Sequence, residues 1–155
     1  MAEAIPPTAL QTTQDERTMA TLAHALQIIG SWIAPLVIFL IRRESRFVSF
    51  HALQALLLQI VHVIVIVIFM VGWFTLIFST IFHTVGSKPP AAPPPAVFAV
   101  FPLLWLFIMG ANITILVIAI VYAIKAGRGE WADYPVLGRL ARKMLKMGPP
   151  GANLT

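Results

Sequence analysis

Seven polar side chains lie in or beside stretches that are otherwise apolar, and any chemistry this chain performs would pass through them. His24 and Gln27 are followed by Ser31 at i, i+3 and i+7, so the three share one helix face. His51, Gln54, Gln59 and His62 fall within an arc of roughly 140° on a second helix. Asn112 lies near the middle of a third stretch, with Thr114 beside it. Histidine and glutamine in such a setting could relay protons, hold a metal, line a hydrophilic path or tie helices together. No acid and no cysteine accompanies them within the apolar stretches. Proton-coupled transport therefore lacks its usual carboxylate, and thiolate metal sites are excluded. If three helices cross a membrane, His24 and His62 stand about 15 Å apart along the normal by rise counting, too far to share an ion. A re-entrant first segment would reopen that question. The expected role is hydrogen bonding between helices, at around 0.6 kcal/mol per bond. No catalytic residue, metal site or cofactor is expected. The chain has no phosphate-binding glycine loop, nucleophile elbow or His-Glu-x-x-His.

The elements that must position these groups are long and apolar. Met19–Ile41, Ala52–Phe82 and Ala96–Ile124 each reach the roughly 20 residues that cross about 30 Å of hydrocarbon. The predicted fold is an all-α integral membrane protein. It has three transmembrane helices (about 19–41, 52–82 and 96–124) and a C-terminal basic amphipathic interfacial helix at 136–147. Together they form one membrane domain over 13–147, between disordered tails at 1–12 and 148–155. Thr13 and Glu16 form a Thr-x-x-Glu capping box that starts the first helix. Gly30 and Pro35 interrupt the first stretch, which is either a kinked span or a re-entrant hairpin with both ends on one side. Small residues at Gly30/Ala34 and Gly110/Thr114 allow close helix approach. Five prolines between Lys88 and Pro95 predict an extended external connector.

Charge sets the orientation. Nine of the eleven lysines and arginines lie either between the first two stretches (Arg42, Arg43, Arg46) or after the third (Lys125, Arg128, Arg139, Arg142, Lys143, Lys146). Two crossings between these clusters keep both in the cytoplasm, with the C-terminus inside and the N-terminus expected outside, in a bacterial inner (plasma) membrane. No removable signal peptide is expected, because the first apolar stretch is too long for an h-region. Hydrophobic residues make up 59% and charged residues 11%, unlike a soluble domain. The net charge of +5 is juxtamembrane, so anionic lipid head groups rather than nucleic acid are the expected counter-charge. On helix 136–147, Arg139, Arg142, Lys143 and Lys146 fill one half of the circumference as a lipid-facing basic cluster. Val136, Leu137, Leu140, Ala141, Met144 and Leu145 fill the other.

Three segments carry a resemblance. They are Asp15-Glu16-Arg17-Thr18 leading to Leu22-Ala23-His24, and Arg46-Phe47-Val48 leading to His51-Ala52-Leu53-Gln54-Ala55. The third is Ala123–Gly127, leading to Gly129-Glu130, Tyr134-Pro135 and Gly138-Arg139-Leu140-Ala141. Over about residues 15–145 the chain resembles the Tic-twenty-like family of small bacterial membrane proteins, related to a channel-forming subunit of the chloroplast inner-envelope translocon. The resemblance implies an auxiliary role in protein translocation or membrane assembly, and carries over no catalytic or binding residues. Those chloroplast relatives are thought to have four spans, against at most three here. The expected function is a non-enzymatic, multi-pass membrane protein that self-associates or binds a membrane partner. The alternative is a small oligomeric channel or transporter using the His/Gln faces.

Overall fold

In the computed structural model, residues 12–86, 92 and 95–148 are described. The expected tails and most of the proline-rich connector lie outside the described residues. Every regular element among those residues is a helix. In chain order they are α1 (Gln14–Ala25), α2 (Gln27–Gly30), α3 (Ile33–Ile41), α4 (Arg46–Gly86), α5 (Pro95–Gly127) and α6 (Leu137–Met144).

The capping box forms as its spacing predicts. Thr13 Oγ1 accepts the Glu16 N–H at 3.2 Å, and the Glu16 carboxylate accepts the Thr13 N–H at 2.8 Å. Such a cap contributes about 1 kcal/mol, and Asp15 and Glu16 in the first turn complement the helix dipole.

The first apolar stretch corrects the expectation of a span over 19–41. It is divided among α1, α2 and α3, none longer than 12 residues. Ser31 adopts φ 48°, ψ −131°, which ends α2 and reverses the chain. Pro35 is the third residue of α3, where its missing N–H costs no helical hydrogen bond, so it starts a helix instead of kinking one. α1 and α3 pack together as the arms of a hairpin. Asp15 Oδ2 lies 2.7 Å from Arg42 Nη2, and Ser45 donates to Glu16 Oε1 at 2.6 Å. A continuous helix would hold residues 15 and 42 roughly 40 Å apart. The segment goes out and comes back.

Two helices are long and apolar enough to cross a membrane: Arg46–Gly86, with 41 residues, and Phe98–Gly127 within α5. The expected third span is not among them. α4 overruns both ends of the predicted 52–82. Ser45 serves its start, accepting the Val48 N–H at 3.2 Å.

The fold divides into two compact units. One holds Val61–Ile115. There α4 and α5 run antiparallel through aromatic contacts, with Phe69 stacked on Phe107 at 3.7 Å and Trp73 at 5.8 Å from Phe101. A groove of about 430 Å³ lies among Phe69, Gly72, Trp73, Leu103 and Phe107. The other unit contains α1–α3, the first part of α4 up to Ile60, the last part of α5 from Leu116, and α6. Its helices approach closely over alanines: Ala20, Ala23, Ala52, Ala55, Ala119 and Ala126 are completely buried. The expected small-residue pairs do not have that role. A Cβ on Gly110 would meet nothing within 4 Å, and one on Gly30 would meet only its near neighbour Ala34.

α6 is shorter than the predicted 136–147, and a strained turn introduces it. Val136 takes φ 66°, ψ −56°, and the Leu137 N–H donates to the Pro135 carbonyl at 2.7 Å, which makes a γ-turn. Gly138 then lies so close to Asp133 that an added Cβ would stand 2.6 Å from the Asp133 Cβ and 2.9 Å from its Cα. Gly138→Ala is therefore expected to destabilise the fold by about 1–3 kcal/mol. Gly72→Ala, at a helical site with open space, is expected to be neutral or slightly stabilising. Thermal unfolding of the two variants in detergent checks the contrast, and equal effects would contradict it.

Candidate functional site

Between α5 and α6 the chain runs from Arg128 to Val136 without a helix or strand. The segment starts where α5 ends on Gly129 at φ 80°. The Glu130 N–H reaches back to the Lys125 carbonyl at 3.0 Å, closing a Schellman-type cap. A side chain at Gly129 would also collide with Thr12 and Arg17. Tyr134 is buried, and Trp131, Ala132 and Asp133 are half-buried. Polar backbone groups this close to the core need partners, and no ladder supplies them.

Side chains from α4 and α5 supply them instead. His51 Nε2 lies 3.0 Å from the Glu130 carbonyl, and Gln54 Nε2 donates to the Ala132 carbonyl at 3.2 Å. Gln54 Oε1 accepts the Tyr134 N–H at 2.6 Å, and the Tyr122 hydroxyl donates to the Asp133 carbonyl at 2.8 Å. Gln54 thus grips the loop at two points, as a neighbouring strand would.

A second chain of bonds runs inward. The Tyr134 hydroxyl lies 2.9 Å from His24 Nδ1, and His24 Nε2 lies 3.0 Å from His51 Nδ1. The partners fix every proton when both rings are neutral. A carbonyl can only accept, so His51 Nε2 carries the hydrogen and its Nδ1 accepts. His24 Nε2 must then donate, its Nδ1 accepts, and Tyr134 donates. Burial pushes the Tyr134 phenol upward, which keeps it a donor. Burial, with His51 beside it, holds His24 well below the usual imidazole range. The chain ends on a peptide carbonyl, which cannot pass a proton onward. These bonds tie α1, α4 and the loop together.

Charge reinforces these ties. Arg142 from α6 makes a bidentate pair with Asp133, at 2.8 and 3.0 Å, and stacks over the Phe50 ring at 4.6 Å. Only 4% of Arg142 is exposed. This corrects its assignment to the lipid-facing basic cluster: it points inward, while Arg139, Lys143 and Lys146 are exposed. The apolar half of α6 divides too. Ala141 and Leu145 pack with Phe50 and Leu53, whereas Val136, Leu140 and Met144 stay exposed.

The structure therefore gathers five of the seven polar candidates in one unit. His24, His51 and Gln54 clamp the loop. Gln59 donates to the Gln27 backbone carbonyl at 3.2 Å and so pins the hairpin tip to α4. The Gln27 side-chain amide is buried and neighbours the Tyr134 hydroxyl. His62 and Asn112 belong to the other unit. Asn112 is exposed and folds back on the Ile108 carbonyl of its own helix at 2.8 Å. His62 Nε2 is buried and without a partner among the described residues. The partner of His24 is His51, not His62. Among the described residues no group of three or more His, Cys, Asp or Glu is placed to hold a metal.

Sequence reasoning missed Tyr122, Asp133 and the inward turn of Arg142. The available signal was Asp133 itself, the one acid between α5 and α6 besides Glu130, nine residues before an arginine on the border of the apolar arc.

A family match covers residues 15–141, to the magnetosome magnetite crystal formation protein family (MamF/MmsF). The chain belongs to the magnetosome magnetite crystal formation family. This corrects the Tic-twenty-like resemblance, some of whose segments (Leu22–His24, His51–Ala55 and Tyr134-Pro135) include clamp residues. No curated protein and no solved structure matches the chain. The family and the two long apolar helices together mark a membrane protein.

Two outcomes follow from the clamp. Asp133→Ala strands a guanidinium only 5% exposed and is expected to cost about 3–5 kcal/mol, whereas Arg142→Met leaves behind an Asp133 carboxylate that is 24% exposed and can be hydrated, and costs less. Chemical denaturation of both variants tests that order, and equal losses would refute the buried pair. The second outcome concerns pH. An unfolded His24 takes up a proton near pH 6.5 while the folded one resists it, so the unfolded state binds more protons as pH falls. Stability is full above about pH 6.5 and declines below it. His24→Gln should flatten the fall in melting temperature between about pH 7 and pH 5, and an unchanged slope would clear His24 of that role.

Proposed function

We propose that this chain is a non-enzymatic membrane protein that takes part in magnetite crystal formation as a rigid, lipid-bound scaffold. The observation that carries this reading is the clamp. His24, His51, Gln54, Tyr122, Tyr134 and the Arg142–Asp133 pair are all spent on holding one loop and α6 against α1 and α4. Groups committed in this way fix a shape, and they neither turn over a substrate nor line a water-filled path. The family supplies the process, and the apolar surface of α4 and α5 supplies the setting.

In the proposed topology α4 and α5 cross the membrane, while the α1–α3 hairpin enters from the basic side and returns to it. Both ends of the described chain then face the cytoplasm, together with Arg42, Arg43, Arg46 and the cations after α5. This replaces the outside N-terminus expected from three crossings. The exposed face of α6 carries Arg139, Lys143 and Lys146 beside Val136, Leu140 and Met144, which suits an anionic leaflet at about 1 kcal/mol per cation. The large exposed apolar faces of both spans serve contacts with lipid, with membrane partners or with further copies of the chain.

The chain has no cysteine, so single introduced thiols report topology without background. Gln14→Cys and Glu44→Cys are expected to react with a membrane-impermeant maleimide from the same side, and Gly86→Cys from the other. Labelling of Gln14→Cys and Glu44→Cys from opposite sides would overturn the hairpin. Deletion of the gene is expected to alter the size or shape of the host's magnetite crystals, and unaltered crystals would overturn the scaffold role.

A further inference from the structure

The α1–α3 hairpin has an axial polarity. Its open end is charged and hydrogen-bonded: Asp15 pairs with Arg42, and Glu16 accepts from Ser45. Hydrogen bonds from Ser45 and Thr13 hold the Glu16 carboxyl below its usual range, so that end stays ionised. Its closed end exposes mainly apolar side chains. Ile29 at the tip is 89% exposed, with Ile28 and Trp32 exposed beside it. From the tip a row at every fourth position, Ile29, Ile33, Val37 and Ile41, runs exposed back to the charged end.

The depth of the tip can be read from α4. Gln59 holds the tip through the Gln27 carbonyl, and it lies 13 residues beyond Arg46, or about 20 Å of helix. The hydrocarbon core is about 30 Å thick. The hairpin therefore enters one leaflet, passes the midplane at most slightly, and is anchored at its open end by charges that do not enter hydrocarbon. The apolar tip excludes water as a permanent neighbour, and the charged end excludes a full crossing. A lipid leaflet is the surroundings that satisfies both.

We propose that this hairpin is a one-leaflet wedge, which makes the protein favour membranes that bulge toward its basic end. Two crossing helices add equal cross-section to both leaflets, whereas a hairpin that ends near the midplane expands mainly the leaflet it enters. A leaflet already stretched by outward curvature accepts added cross-section at lower cost, the same asymmetry that makes interfacial helices curvature-sensitive. With the basic end in the cytoplasm, the expanded leaflet is the cytoplasmic one, the convex face of any vesicle or bud lying inside the cell. The inference rests on the re-entrant topology proposed above and adds a preference for membrane shape.

The test uses the full chain, fluorescently labelled at Gly86→Cys, in giant vesicles of phosphatidylcholine and phosphatidylglycerol from which narrow tubes are pulled. Molecules whose basic end faces the outer leaflet are selected by quenching the wrongly oriented label. The expected result is several-fold enrichment on the tube over the flat membrane. Ile29→Asp, a change at a site 89% exposed, should lower that ratio while leaving the clamp and both spans intact. Equal density on tube and flat membrane, or a ratio that Ile29→Asp leaves untouched, overturns the wedge. Ile29→Cys carrying a fluorophore should be quenched by brominated acyl chains, and disulfide crosslinking of Ile29→Cys to a second copy instead would overturn it as well. Maleimide labelling of Gln14→Cys and Glu44→Cys in the same vesicles separates the two failures. Opposite sides sink the topology and the wedge together, whereas one side without enrichment sinks only the wedge.

Discussion

A loop packed against a core must have its inward peptide groups met, and in this protein that requirement falls on side chains. The segment Arg128–Val136 has no helix or strand to satisfy it, yet it lies against the core of its unit. His51, Gln54 and Tyr122 each bond one of its carbonyls, and Gln54 also takes its Tyr134 N–H. An unmet carbonyl or N–H at this depth costs about 1–3 kcal/mol, so each bond matters more for what it prevents than for what it adds. His51, Gln54 and Tyr122, polar side chains in otherwise apolar helices, are explained by that need.

The rest of the unit is arranged around this constraint. Complete burial of Ala20, Ala23, Ala52 and Ala55 brings α1 and α4 near enough for His24 and His51 to bond directly. The Arg142–Asp133 pair, stacked on Phe50, ties α6 to the same loop, and Gly138 gives it room. Charge is admitted to the interior only as a bidentate pair with an aromatic floor. The hairpin follows from the same logic. His24 finds its partners on α4 and the loop, and Gln59 fixes the backbone just beyond it, so the first segment stays beside α4 for about 20 Å and then turns back.

Much of this was legible in particular residues. Thr13 and Glu16 announced the first helix, and the apolar runs announced α4 and α5. The spacing of His24, Gln27, His51, Gln54 and Gln59 marked a polar face turned toward protein. Some of the segments that carried the mistaken family resemblance include clamp residues, His24, His51, Gln54 and Tyr134. What misled was the first apolar stretch: Gly30 and Pro35 fit a kinked span and a reversal equally well, because hydropathy records length and says nothing of direction. Arg142 misled for a similar reason. On a helical projection it belongs with Arg139 and Lys143, and only Asp133, in a loop whose path no periodicity predicts, turns it inward.

By itself, then, the amino-acid order determined that this is a helical membrane chain with its cations gathered at one end, because hydrophobic length and charge placement are local properties that a bilayer reads directly. The tertiary structure alone decided which polar groups meet, where the first segment reverses and which arginine is buried. Those outcomes depend on contacts across as many as 110 residues of chain, such as Tyr134 with His24, and satisfaction of a buried hydrogen bond belongs to the pair and to neither residue alone.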